Sequence, residues 1–177
     1  MARYAALLRG MNIGNRRMAM ADLRTAVEGA GFADVATLLQ SGNVVFTAGD
    51  EDVDGVRRRL EAAIEAAAGF RSEVVLRSRD ELAAVLERNP LAGVATDPRR
   101  YQVTFLSAVP PAAVAEQLAA LDPAPEAVVL DGREIYAWHP DGVGRSKLAV
   151  QIGKLRMPGV VATARNWATT EKLLALL

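Results

Sequence analysis

The chain contains no cysteine, one histidine, only 5% aromatic residues and no excess charge of either sign. The missing cysteines remove disulfides, thiolate nucleophiles and sulfur-ligated metals together, and a reducing cytoplasm is the simplest setting for such a chain. His139 stands alone beside Pro140, with Asp141 beyond, which argues against a metal site. Neither Ser41 nor Ser146 has a histidine in its motif, and adjacency of Ser146 and Lys147 does not make a dyad, so covalent catalysis is disfavoured. The motif segments hold almost no carboxylates, which leaves paired acid–base catalysis unsupported. Twenty-one basic residues balance twenty-one acidic ones, so no global field draws the protein to nucleic acid or to an anionic membrane, and any basic site must be local.

Other signals are missing too. No apolar run approaches the ~18–20 residues of a membrane span, and MARYAALLRGMNIG lacks the charged, apolar and small-residue regions of a secretory signal. Neither GxxxxGKS/T nor GxGxxG occurs; GMNIGNRR has the wrong spacing for either phosphate loop, and no cofactor is expected. An RNA-recognition domain needs several exposed aromatics on its central strands, where this chain offers Phe46 and Tyr4. Nucleic acid is therefore a disfavoured partner, a membrane is not expected, and the sequence leaves the oligomeric state open.

What is present is a chain of 177 residues, 51% hydrophobic and rich in Ala, Val and Leu, long enough to bury roughly two thirds of its unfolded surface. Residues 3–9 read as a strand that opens into the loop GMNIGNRR. Met20, Leu23, Val27 and Ala30 recur at helical spacing up to Gly31. DVATLLQ and NVVFTA, joined through Ser41-Gly42, read as a hairpin. Val53, Val56, Leu60, Ile64 and Ala67 mark a second helix closed by Gly69, and SEVVLRS a fourth strand. Ser78 and Glu81 resemble a capping box that starts a short helix. The stretch from Asn89 to Arg100, with Pro90, Gly93 and Pro98, is the best boundary, and after it the order repeats: YQVTFLS, a helix from Pro110-Pro111, the hairpin EAVVLDGREIYAWH, the helix SKLAVQIGKL, the strand GVVATAR and a last helix capped by Asn166. The expectation is an α+β protein of two tandem ferredoxin-like βαββαβ halves with mainly antiparallel sheets, residues 1–89 and 101–177, joined by a linker over 90–100 and each closed by a short helix.

In such a sheet the first and third strands are neighbours, which places Arg9 close to Asn43. The loop carrying Gly10, Asn12 and Gly14 then shares a sheet end with Gln40, Ser41, Gly42 and Asn43. In the second half the same rule gathers Ser146 and Lys147 with Arg165 and Asn166, followed on the terminal helix by Trp167, Thr169 and Lys172. Both groups are rich in donors: arginine presents a rigid fork to carboxylate or phosphate, and lysine a mobile point charge. The structural alternatives are plain. The glycines serve as turn residues, Asn12, Asn43 and Asn166 as caps, the arginines as ion-pair partners and Trp167 as packing. Arg57-Arg58-Arg59, on a helix whose other face is apolar, reads as a solvated face.

LLRGMNIG, LLQSGNVVF, GRSKL and ARNWATTEKLL together resemble the bacterial family known as domain of unknown function 1697. Its motifs read roughly LRGINVGG, QSGNVVF, SKL and TRNWNTVTKL. The resemblance implies that Arg9, Gly10, Asn12, Gly14, Gln40, Ser41, Gly42 and Asn43 recur together, as do Ser146, Lys147, Leu148, Arg165, Asn166, Trp167, Thr169, Lys172 and Leu173. Asn15 and Ala168 depart from the pattern, where the family often has Gly and usually has Asn. The family implies no activity. The leading expectation is a cytoplasmic binding module for an anionic, phosphorylated or nucleotide-like molecule at a site lined by Arg, Asn and Lys. The alternatives are a small-substrate transferase that works by positioning and electrostatics, and a protein-interaction module anchored by Trp167 and arginines.

Overall fold

The computed structural model describes residues 1–177. Eight strands and six helices form an α+β protein with two four-stranded antiparallel sheets. The first half runs β1 (Ala2–Leu8), α1 (Met20–Gly29), β2 (Ala33–Leu38), β3 (Asn43–Ala48), α2 (Val53–Ala68), β4 (Val74–Ser78) and α3 (Arg79–Arg88). The second runs β5 (Tyr101–Leu106), α4 (Ala112–Ala119), β6 (Ala127–Asp131), β7 (Glu134–Trp138), α5 (Lys147–Gly153), β8 (Ala162–Asn166) and α6 (Trp167–Leu176), with a short 3₁₀ turn over Val143–Arg145 before α5. The sheets have the orders β2-β3-β1-β4 and β6-β7-β5-β8, consistent with a duplicated ferredoxin-like unit. Two compact units result, Met1–Ala84 with Lys172–Leu177, and Val85–Glu171, so the division falls inside α3 and inside α6. No helix is long and apolar enough to cross a membrane.

The core of the first unit follows from two periodicities. Alternate strand residues Tyr4, Ala6, Leu8, Val44, Phe46, Val74 and Leu76 point to one face, where they meet the helical stripes Leu23 and Val27 of α1 and Val56, Leu60 and Ile64 of α2. Each fully buried Val, Leu or Ile contributes about 1.5–3 kcal/mol. In the second unit Leu106 and Ile135 meet Val114 and Leu118 of α4 in the same manner. The ends are set by local chemistry. Asp52 caps α2 through Gly55 N at 2.8 Å, and Gly69 ends it in the left-handed region. Ser78 and Glu81 form the reciprocal capping box of α3: Glu81 Oε2 accepts from Ser78 N at 2.8 Å, and Ser78 Oγ accepts from Glu81 N at 3.2 Å.

The two sheets correspond residue by residue. Leu7 pairs with Asn43 as Phe105 pairs with Glu134, and Leu8 pairs with Val74 as Leu106 pairs with Ala162. Leu8 N donates to Gly42 O and Arg9 N to Glu73 O, both at 2.9 Å; Leu106 N donates to Arg133 O and Ser107 N to Val161 O at the same distance. Arg77 and Arg165 occupy equivalent places, one residue before the end of β4 and of β8, and both are buried. Each donates to the carbonyl of the residue before it, at 2.9 and 2.8 Å.

Gly42 is where the hairpin needs a residue without a side chain. Its φ is +81°, and a Cβ there would lie 2.7 Å from Met11 Cβ and 3.0 Å from Leu8 Cβ. Gly14 has φ +60° with nothing within 4 Å. Gly42→Ala is expected to lower the unfolding free energy by about 2 kcal/mol or more, and Gly14→Ala by about 1 kcal/mol, the left-handed strain alone. Urea denaturation compares them; equal losses would mean that close packing at Gly42 is not what demands the glycine.

Candidate functional site

The C-terminal end of β1 lies between the start of β3 and the start of β4, so three loops converge at one end of the first sheet. The first is the segment from Arg9 to Ala19, fixed at both ends by Met11 and Met18, which are buried in the core. Asn12, with φ +55°, ties it across: Nδ2 donates to Met18 O at 3.1 Å and to Gln40 O at 2.6 Å, while Oδ1 accepts from Met18 N at 2.9 Å. Asn43 is fully buried, and its Nδ2 donates to Leu38 O at 2.7 Å and Ser41 Oγ at 3.0 Å. Both asparagines therefore commit their amides to holding the loop and the hairpin. Gln40 and Ser41 are exposed at the hairpin tip.

Arg9 is exposed immediately after β1, its Nη1 3.0 Å from Glu73 Oε2. Arg16 returns from the loop to the same place. Its guanidinium stacks over the Phe70 ring, 4.9 Å from the centroid, and donates from Nη2 to Arg71 O. Gly10 leaves it room, since a Cβ there would lie 2.9 Å from Arg16 Nη1. Arg9, Arg16, Arg71 and Glu73 line an open cavity of about 280 Å³. Three guanidinium groups against one carboxylate leave it a formal charge of +2. Beneath it the Ser72 side chain, fully buried, donates to Arg9 O at 2.9 Å.

Of the sequence-predicted residues, Arg9 alone lines this cavity. Arg71 and Glu73 were not anticipated, although one signal was available. In a βαββαβ sheet the first strand is central, so the residues before the fourth strand sit beside its end just as the hairpin does.

The second unit builds a different site. Both β7 and β8 flank β5, so the segment after β7 and the end of β8 share the sheet end at which β5 starts. Asp122, Glu126, Asp141, Arg145, Ser146 and Lys147 are among the residues around a cavity of about 440 Å³. Glu126 organises it. Oε1 meets Nδ1 of the buried His139 at 2.9 Å, and Oε2 accepts from Leu148 N at 3.1 Å. Burial pushes the Glu126 carboxyl up, but hydrogen bonds from Ser146, His139 and Leu148 N outweigh it and hold it below its ordinary value. Ser146 is buried and caps α5 by accepting from Ala149 N at 2.8 Å, while Lys147 is exposed. The donors of the GRSKL segment are thus directed at the protein's own carboxylate. Three carboxylates against Arg145 and Lys147 give this cavity a formal charge of −1.

Arg165 is buried, its Nη1 donating to Thr163 Oγ1 and to Ala164 O, both at 2.8 Å; burial depresses its pKa to about 10. Asn166 caps α6 by accepting from Thr169 N at 2.8 Å. Trp167 stacks on Tyr101, with centroids 4.6 Å apart and planes 6° apart, and its Nε1 donates to Glu171 at 3.1 Å. Thr169 is buried, and Lys172 is exposed on α6. No group of three or more His, Cys, Asp or Glu side chains is arranged to hold a metal ion.

The model of one protein family, described as protein of unknown function (DUF1697), matches residues 1–136, three quarters of the chain. The chain belongs to that family. The matched span includes the whole of the Arg9 to Glu73 site and ends before Ser146 and Arg165. Among solved structures, a conserved bacterial protein, SP0830 from Streptococcus pneumoniae, is similar over 100% of this chain and 98% of its own, with a TM-score of 0.77 and 24% identity, a likeness of fold. No curated protein matches.

Glu126 makes the second unit acid-sensitive. Its pKa in the folded protein lies below the ordinary 4.5, so its stabilisation is complete above 4.5 and is lost as pH falls through the depressed value. Urea midpoints at pH 7, 4.5 and 3 should fall further for the wild type than for Glu126→Gln, which has no carboxylate there to protonate. Parallel falls in the two proteins would assign the acid sensitivity to other groups.

Proposed function

We propose that this protein is a cytoplasmic binding module for an anionic, phosphorylated ligand, and that the ligand's anionic group enters the cavity between Arg9, Arg16 and Arg71. The observation that carries this reading is the absence of the cluster from the duplicate. The fold occurs twice in register, so the backbone hydrogen bonds that close this sheet end do not by themselves call for the cluster. Arg9 corresponds to Ser107 and Glu73 to Val161, and counting back from that pair brings Arg71 to Gly159. The second sheet end closes without any of these charges.

Energetics point the same way. The half-exposed Arg9–Glu73 pair is worth at most about 1 kcal/mol, whereas hydrogen bonds between guanidinium groups and a phosphate are worth about 1.5–3 kcal/mol each. Giving up that exposed pair is therefore a small cost for a phosphate that binds the guanidinium groups. Arg16, clamped between the Phe70 ring and Arg71 O, is already ordered and loses little freedom on binding. The larger cavity of the second unit supports an anion less well, because Glu126 occupies its donors. The transferase alternative is weakened at Ser146, whose hydroxyl is committed to α5 and Glu126.

Thermal unfolding against inorganic phosphate, sugar phosphates and nucleoside monophosphates tests the proposal. A ligand at a hundred times its dissociation constant adds about 2.7 kcal/mol, or roughly 5–10 °C in a chain of this size. The shift should vanish in Arg9→Ala and Arg71→Ala and persist in Lys147→Ala. A shift that survives both arginine variants, or disappears only in Lys147→Ala, would place the ligand elsewhere.

A further inference from the structure

A carboxylate at the mouth of an anion site weakens the binding of a bare anion, yet Glu73 is one of four residues lining this cavity. Nor does the backbone bond at this position require it, because Val161 makes the equivalent bond in the second unit. Glu73 is also well fixed. Its backbone carbonyl accepts from Arg9 N at 2.9 Å, the next residue begins β4, and its neighbour Ser72 is buried. Oε2 faces Arg9 Nη1 at 3.0 Å, which leaves Oε1 without a protein partner.

An ionised carboxylate only accepts hydrogen bonds, so the ligand atom that satisfies Oε1 must be a donor. The cavity, about 280 Å³ and open, lies at the small end of the roughly 300–1,000 Å³ usual for small-molecule pockets. It takes a headgroup, and for a phosphate ester ionised on all its free oxygens, a donor that reaches Glu73 while the phosphate sits among the arginines must be borne on a carbon close to that phosphate. A hydroxyl is such a donor, and being neutral it brings no further cation beside the three arginines.

We infer, resting on the proposed reading of this cavity as an anion site, that Glu73 is its specificity-determining residue and selects phosphomonoesters carrying a hydroxyl next to the phosphate, the chemistry of polyol and sugar phosphates. Glu73 holds Arg9 in place in the empty site and accepts the hydroxyl when the phosphate takes over that arginine. An alkyl phosphate dianion meets the same guanidinium groups but brings no donor to the carboxylate.

Glycerol 3-phosphate and n-propyl phosphate share a three-carbon skeleton and differ in the hydroxyls. Isothermal titration of the full chain at low salt should show glycerol 3-phosphate binding about tenfold more tightly, the size of one net hydrogen bond to a charged group. In Glu73→Ala, n-propyl phosphate should bind more tightly than to the wild type, and the ratio should fall to about one. Glu73→Gln, which keeps a carbonyl acceptor and a side chain of the same shape, should retain part of the ratio and serves if the alanine variant folds poorly. Arg71→Ala should weaken both ligands alike. Equal affinities in the wild type, with both lost in Arg71→Ala, would overturn the selectivity and leave the anion site standing. Binding of neither ligand, or binding indifferent to Arg71→Ala, would overturn both.

Discussion

Two backbone hydrogen bonds at the end of β1, Leu8 N to Gly42 O and Arg9 N to Glu73 O, hold that strand between its neighbours at the point where the chain leaves the sheet. A strand clamped on both sides has no freedom of register, because a one-residue slip would turn Leu8 away from the core and every alternate side chain with it. The loop after Arg9 therefore begins from a fixed point. Met11 and Met18 sink into the core beneath it, and Asn12 joins it to the hairpin. The motif glycines and asparagines act at this level. They shape a rigid frame, and the guanidinium groups are carried on it.

Duplication separates what the frame needs from what it carries. Both sheet ends close with the same pair of backbone hydrogen bonds, and both fourth strands hold a buried arginine one residue before their end, followed by the residue that caps a helix. Those shared features belong to the fold. Arg9 and Glu73 belong to one half alone, as does the Glu126–His139 pair, which gives the second unit an internal carboxylate where the first offers an open cluster of cations. The halves are built on the same plan and are electrostatically opposite at their cavities.

The fold was largely legible because strand and helix periods are written in hydrophobic residues that do little else. Val44, Phe46 and Ala48 alternate, while Val56, Leu60 and Ile64 recur at three to four. The caps at Ser78 and Asn166 were legible for a related reason, since their partners lie only three residues away. Partners distant in sequence were harder to read. Nothing local marks Arg71 and Glu73, 62 and 64 residues beyond Arg9, as its neighbours, and the topological rule that reveals them requires the strand order first. The roles of the asparagines were hidden likewise. A sequence shows that Asn12 can donate, but not that its amide is taken up by Met18 and Gln40. At equivalent positions the strands share little beyond Leu8 with Leu106 and Arg77 with Arg165, because backbone pairing tolerates almost any side chain that suits its face of the sheet.

The most direct test of the account follows the NMR signals of the arginine Nε–H groups and backbone amides as inorganic phosphate is added to the intact protein. The account predicts saturable shifts at Arg9, Gly10, Arg16 and Arg71, with the equivalent amides of Ser107, Ala108 and Gly159 unmoved. Shifts that centre on Ser146 and Lys147, or that spread evenly over exposed cations in both units, would contradict it.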